Sequence, residues 1–391
     1  MKSYGGRVAV YWILLVALVV ILSYGSSKIW SEKKEKARIT KSLVMEDDMT
    51  VQQFGQKNDL PNPVLKKVFG LQTQPELQKK VREFQLSQQE ISSRIEKAMA
   101  LSAEYESKNW LKIPIKFAAW FVFLLFVFRL MRKRRITPKT RKGIYLGAIA
   151  LFGVVLGSDP SPMGTVKDAI VLLGAKGVIF LPRLIALTIF LVLALLANKF
   201  VCSWGCQLGT LQDLIIRLGR DPEDKEGGIG QVKIPFAWTN GIRMAFFGIF
   251  TLAAFLWVTD IIEPIDPFKV YKPAMLGIAG IAFLGALLLA SLFIYRPWCH
   301  LFCPFGLVGW LVEKISVFKI QVNYETCIAC ESCARACPST VMNGILKQES
   351  VIPDCFACGT CIGVCPTQSI HFLSGKRSRP PADKFKEKEK K

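Results

Sequence analysis

The chain has 391 residues, 51% of them hydrophobic, with 51 Lys+Arg against 30 Asp+Glu, 12 Cys and 2 His. A mean hydropathy of +0.32 and several apolar runs long enough to cross a bilayer argue for a membrane protein rather than a string of soluble domains. His300 and His371 both lie outside the apolar runs, which excludes haems held by imidazole pairs inside a membrane, and no C-x-x-C-H motif for covalent haem occurs.

The first apolar run covers residues 8–24 and follows Lys2 and Arg7. The stretch Tyr24-Gly25-Ser26-Ser27 is a poor cleavage site, so residues 1–25 read as an uncleaved anchor. Residues 26–112 form a long polar loop with helical signals. Thr50 can N-cap a short helix ending near Asn58, and Pro63 opens another that stops at Gly70. From Pro75, the spacing of Leu77, Val81, Phe84, Ile91, Ile95 and Ala98 predicts one long amphipathic helix running to Trp110, with Gln88 interrupting its stripe. Such a unit is a small outer helical domain or spacer; the sharper reading is a docking surface for a partner subunit.

Five further runs follow, at 113–131, 143–157, 178–197, 244–262 and 275–294, giving six predicted spans within a core that extends to residue 318. The loop 129–142 carries eight cations and no acid, and Lys199, Arg217, Arg220, Lys225, Lys233 and Arg243 follow the fourth run. By the positive-inside rule both termini face the cytoplasm, and most of the +21 net charge is topology rather than a nucleic-acid surface. Asp260, Glu263 and Asp266 gather near the outer end of the fifth run, either accepting quinol protons or simply solvated. Gly227-Gly228-Ile229-Gly230 reads as a flexible loop, and 374–391 as a disordered basic tail.

All 12 cysteines fall into two patterns. Cys327, Cys330, Cys333 and Cys337 precede Pro338; Cys355, Cys358, Cys361 and Cys365 precede Pro366. Both are C-x2-C-x2-C-x3-C-P, in which three close thiolates hold one face of a [4Fe–4S] cubane and the fourth ligates the neighbouring cluster. One cluster is therefore expected on Cys327, Cys330, Cys333 and Cys365, the other on Cys355, Cys358, Cys361 and Cys337. Zinc sites show two close pairs instead. The second pattern is C-x3-C with a Gly three residues beyond, at Cys202/Cys206/Gly209 and Cys299/Cys303/Gly306. Each follows a span, and the preceding outer loops contain Asp159-Pro160 and Asp266-Pro267, so the whole unit occurs twice. These four thiols admit three readings: a third metal or Fe–S site, a redox-active dithiol, or inert buried thiols. His300 reads as a satisfied interfacial residue or a proton relay at a quinol site, and His371 as surface.

Together these motifs resemble the NapH/NosR-type membrane polyferredoxins over about residues 142–372, closest to the NapH type. The resemblance implies electron transfer between quinol and a respiratory reductase partner. Gln207 stands where the family commonly has Pro, as at Pro304, and the helical outer loop is unlike the flavin domain of NosR-type members. The copper-reducing assembly factors of cytochrome oxidase share a similar core, so a redox, regulatory or cofactor-assembly role for the C-x3-C thiols is the alternative. Whether the chain is itself an enzyme, as a quinol dehydrogenase subunit, stays open. The expected architecture is a mainly α membrane protein: six transmembrane helices, an outer helical domain (26–112) and a C-terminal α+β ferredoxin domain (319–373) with two [4Fe–4S] clusters, a possible quinone and no haem. Its expected place is the bacterial inner membrane, with the ferredoxin domain and all cysteines on the reducing, cytoplasmic side.

Overall fold

The computed structural model describes residues 2–29, 43–45, 48–220, 229–382 and 384–385. Three helices are long and apolar enough to cross a membrane: Gly5–Ser27, Lys112–Arg132 and Phe236–Leu256. Leu181–Ala197 and Ile278–Ala290 are shorter apolar helices in the same bundle. Their outward faces carry bare apolar side chains such as Val122, Leu252 and Ile278, the last 90% exposed. A bilayer is the solvent that accepts such faces. The chain is a membrane protein.

Two of the expected spans differ in form. The run 143–157 is an α-helix, Pro138–Ala148, continued by a π-helical turn at Ile149–Val155. The fifth begins earlier, at Phe236, and ends at Leu256. Asp260 lies beyond that end, where its carboxylate accepts from the backbone N–H groups of Ile262 and Glu263.

The helical unit between the first two long apolar helices has its own apolar core of Phe54, Leu65, Val68, Ile91 and Ile95. Thr50 caps the Val51–Lys57 helix in a capping box with Gln53, and the Asn62–Phe69 helix ends at Gly70 in the left-handed conformation. The expected long helix from Pro75 is broken. Pro75–Gln78 and Val81–Phe84 are single 3-10 turns, and Gln85 takes a positive φ of 48°. The true helix is Gln88–Ser107, started by Ser87, whose hydroxyl accepts from the Glu90 N–H while Glu90 accepts from Ser87. Gln88 does not interrupt a stripe; it is the first residue of the helix. The apolar residues on both sides of the break still face one core, which is why the stripe looked continuous.

The C-terminal domain is built on two antiparallel strands, β1 (Phe318–Val322) and β2 (Ile370–Ser374), with Ile320 opposite Phe372. Three short helices, Ser332–Ala336, Val341–Lys347 and Thr360–Gly363, lie between them. The start of the tail is ordered, against expectation. Arg377 donates to the Ile320 carbonyl at 2.9 Å, Ser378 donates to that of Val322, and Phe385 packs on Tyr324. Residues 386–391, Lys225 and the Gly227-Gly228 pair lie outside the described residues.

Candidate functional site

The two ferredoxin motifs fold so that cysteines from both copies meet. Cys327, Cys330, Cys333 and Cys365 line one cavity. Cys337, Cys355, Cys358 and Cys361 line another. Each set therefore joins three thiols of one motif to the fourth of the other. Among the described residues, no three of His, Cys, Asp and Glu close to the spacing of a single metal ion. Four thiols spread around a cavity fit a bulky cubane better than a mononuclear zinc centre, whose sulfurs crowd one ion. The second cavity faces the membrane core, since Tyr295 lines it; the first is lined by Phe385 from the tail and by exposed Ile328.

The C-x3-C motifs form short helices, Phe200–Trp204 and Pro297–Leu301, each followed by a longer one, Gln207–Ile216 and Pro304–Glu313. The chain turns back so tightly at each second cysteine that a Cβ on Gly209 would sit 2.5 Å from the Cys202 carbonyl oxygen, and one on Gly306 2.5 Å from that of Cys299. The repeated glycine is thus a steric requirement, identical in both copies. All four thiols are buried, two in each repeat.

Around these thiols lies a buried charge network that spacing arguments did not find. Lys199 and Arg296, each three residues before a first cysteine, cross to the opposite repeat. Lys199 donates to the Gly306 carbonyl at 2.7 Å, and Arg296 to the Cys202 carbonyl at 2.8 Å. Asp213 pairs with Arg217 and Arg296 and accepts from the Tyr145 and Tyr295 hydroxyls. Asp354, one residue before Cys355, pairs with Lys199 and Arg243. Burial pushes the Asp354 carboxyl up, but Lys199 and Arg243 together hold it below the usual carboxylate range. The only local signal was the basic residue repeated at the same offset before each C-x3-C.

Arg141, Lys199, Arg217, Arg220 and Arg243 are all buried; Lys199, Arg217 and Arg243 pair with buried acids and Arg220 anchors the Ala336 carbonyl. The acids that follow the Phe236–Leu256 helix are likewise neither free nor simply solvated. Asp260, Glu263 and Asp266 surround buried Lys167 at 3.2, 2.8 and 3.4 Å.

The core also grips the ferredoxin domain by its backbone. Trp204 donates to the Ala357 carbonyl at 3.2 Å and Arg220 to that of Ala336 at 2.5 Å. Arg217 donates to the Thr360 hydroxyl, and Glu313 accepts from the Cys355 N–H at 3.1 Å. Every one of these contacts falls within three residues of a thiol in the membrane-facing set. His300 is buried with its Nδ1 3.7 Å from Asp354. His371, on β2, is half-buried against Arg134.

Paired ferredoxin motifs on a membrane core define an iron–sulfur electron-transfer protein. Comparison with known proteins gives the same class. A family described as "4Fe-4S binding domain" matches residues 179–224 and 276–323, the two C-x3-C repeats, and one described as "4Fe-4S dicluster domain" matches 319–366. The chain is 33% identical over 168 residues to the "Putative electron transport protein YccM" of Escherichia coli, covering 40% of this chain and 46% of that protein. It is 28% identical over 170 residues to the "Ferredoxin-type protein NapH" of E. coli, covering 40% of this chain and 55% of NapH. It is 26% identical over 226 residues to the "Regulatory protein NosR" of Pseudomonas aeruginosa, covering 54% of this chain and 30% of NosR. The chain thus spans about half or less of the length of these relatives. No solved structure matches. Over its two C-x3-C repeats and ferredoxin motifs the chain is similar to the NapH/NosR-like polyferredoxins.

Proposed function

We propose that this protein carries electrons between the membrane quinol pool and a respiratory reductase partner. The observation that carries this reading is the pair of cavities, each lined by four cysteines drawn from both ferredoxin motifs. In it, Cys327, Cys330, Cys333 and Cys365 hold one [4Fe–4S] cluster and Cys337, Cys355, Cys358 and Cys361 the other. Bound there, the clusters supply one-electron redox chemistry that no side chain of this protein offers. The chain's part is to position and bias them. Buried Lys199, Arg217, Arg243 and Arg296 place positive charge beside anionic ligand sets, which favours the reduced state and raises the potential. The four C-x3-C thiols form a further metal or Fe–S site in this reading. Its support is the burial of all four thiols and the family match over both motifs. Six spans, an inner-membrane location and a cytoplasmic ferredoxin domain complete the proposal.

Anaerobically purified protein should contain about eight iron atoms per chain from the ferredoxin motifs, and more if the C-x3-C thiols hold iron. A Cys202→Ser/Cys299→Ser double variant should lose only that excess. Iron near zero with zinc in its place would sink the cluster assignment. Failure of quinol analogues to reduce a protein that dithionite reduces would remove the quinol donor.

A further inference from the structure

A narrow cleft lies at the junction of the membrane core and the ferredoxin domain. The segment before the Phe236–Leu256 helix forms one wall; it is held beside the end of the Ile278–Ala290 helix by the Val232 N–H donating to the Phe293 carbonyl at 2.8 Å. Ile234, Phe236, Ile294 and Leu301 give the cleft an apolar lining, and the loop Pro338–Thr340 forms its far side. That loop begins one residue after Cys337. His300 lines the same cleft. It is only 8% exposed, its ring packs 5.2 Å from that of Phe356, and its Nε2 is buried with no hydrogen-bond partner.

A buried imidazole nitrogen without a partner is costly unless a ligand completes it. The chemistry around it selects the ligand. Apolar Ile234, Phe236, Ile294 and Leu301 share the lining with polar Thr239, Ser339 and Thr340, so the ligand must offer both an apolar body and polar atoms. Lys233, the one cation in the lining among the described residues, already donates to the Arg335 carbonyl at 2.9 Å, which leaves the cleft poorly suited to a lipid phosphate. A flat ring carrying oxygens and an apolar tail matches this mixed lining. We propose that this cleft binds the head group of a lipid-soluble quinone, with His300 Nε2 hydrogen-bonded to a ring oxygen and Ile234 and Phe236 against the ring. This rests on reading the chain as a quinol-linked electron carrier, and it adds where the quinone sits: beside Cys337, on the same side of the core as the ferredoxin domain.

The test is photoaffinity labelling of the full chain in nanodiscs with an arylazido short-chain benzoquinone, mapped by peptide mass spectrometry. Label should fall on residues 232–239 or 294–301 and be displaced by unlabelled short-chain quinone. Ile234→Trp fills the cleft without touching the charge network, and His300→Phe removes the hydrogen bond; each should lower specific labelling about tenfold with iron content unchanged. Label concentrated elsewhere, as around Lys116 and Ser158, or equal labelling of Ile234→Trp and the parent, overturns the proposal. The two readings fail separately. If quinol reduces the parent and Ile234→Trp alike, the cleft is wrong and the donor stands. If quinol reduces neither but the label maps to 232–239 or 294–301, the site stands and the donor falls.

Discussion

The two C-x3-C repeats share a backbone but not a source of neutralising charge. In both, a basic residue three positions before the first cysteine reaches across the repeat boundary, and in both a glycine packs on that cysteine's carbonyl. Arg296 meets Asp213, which belongs to the first repeat's own helix. Lys199 meets Asp354, which belongs to the ferredoxin domain. One half of the core is therefore neutralised from within, while the other depends on the docked domain. A duplicated sequence thus carries two different jobs: one repeat closes the membrane core and the other couples it to the electron-carrying domain.

The largest way to break this comparison is to remove each acid in turn. Asp213→Ala leaves Arg217 and Arg296 buried without their carboxylate, and Asp354→Ala leaves Lys199 and Arg243 so. Each should cost about 3–5 kcal/mol, the penalty for orphaning a buried charge. Asp213→Ala should lower the melting temperature of the whole protein in detergent. Asp354→Ala should instead speed tryptic cleavage at Lys314 or Lys319 while the membrane fragment persists; identical behaviour of the two variants would refute the asymmetry.

Glycine substitutions sharpen the shared half of the comparison. A Cβ at Gly209 or Gly306 meets a carbonyl oxygen at 2.5 Å in either repeat, so both Ala variants should lose a similar amount, about 1–3 kcal/mol. Unequal melting shifts would show that the matched backbones are not under matched constraint. A control lies in the separate helical unit built around Phe54 and Ile91. Ser87→Ala removes the N-cap of Gln88–Ser107 and should cost about 1 kcal/mol locally, seen as faster amide exchange in residues 88–92 with cluster content unchanged.

The smallest expected effect is pH-dependent. Burial and then Arg134 hold the His371 imidazole below its ordinary value of 6.5. The folded state therefore favours the neutral ring, and the contribution is present above pH 6.5 and lost as pH falls through the depressed folded value. Solvent screens this site, so the loss should stay well under about 1 kcal/mol. His371→Gln should flatten that acid limb of a melting-versus-pH curve.

Much of the candidate site was legible because its information is local. The ferredoxin spacing, the repeated Cys-to-Gly offset, the Thr50 cap and the Gly70 stop each occupy a dozen residues or fewer, and local geometry fixes what they do. The capping box at Ser87 was equally readable, and a continuous apolar stripe hid it, because periodicity reports which residues share a core and not where the backbone breaks. The basic residues were only partly legible, because a count does not separate a solvated cation from one that a distant acid brings inside.

By itself, then, the sequence determined the ligand chemistry: cysteine rather than histidine, in two linked motifs and two repeats, on an apolar scaffold. Only the tertiary structure decided how those pieces are joined. Arg296 and Asp213 are 83 residues apart in sequence, and Lys199 and Asp354 are 155 apart. A buried charge is tolerated only where the whole fold delivers its partner, so such pairs follow from the packing of complete elements and leave no local pattern to read.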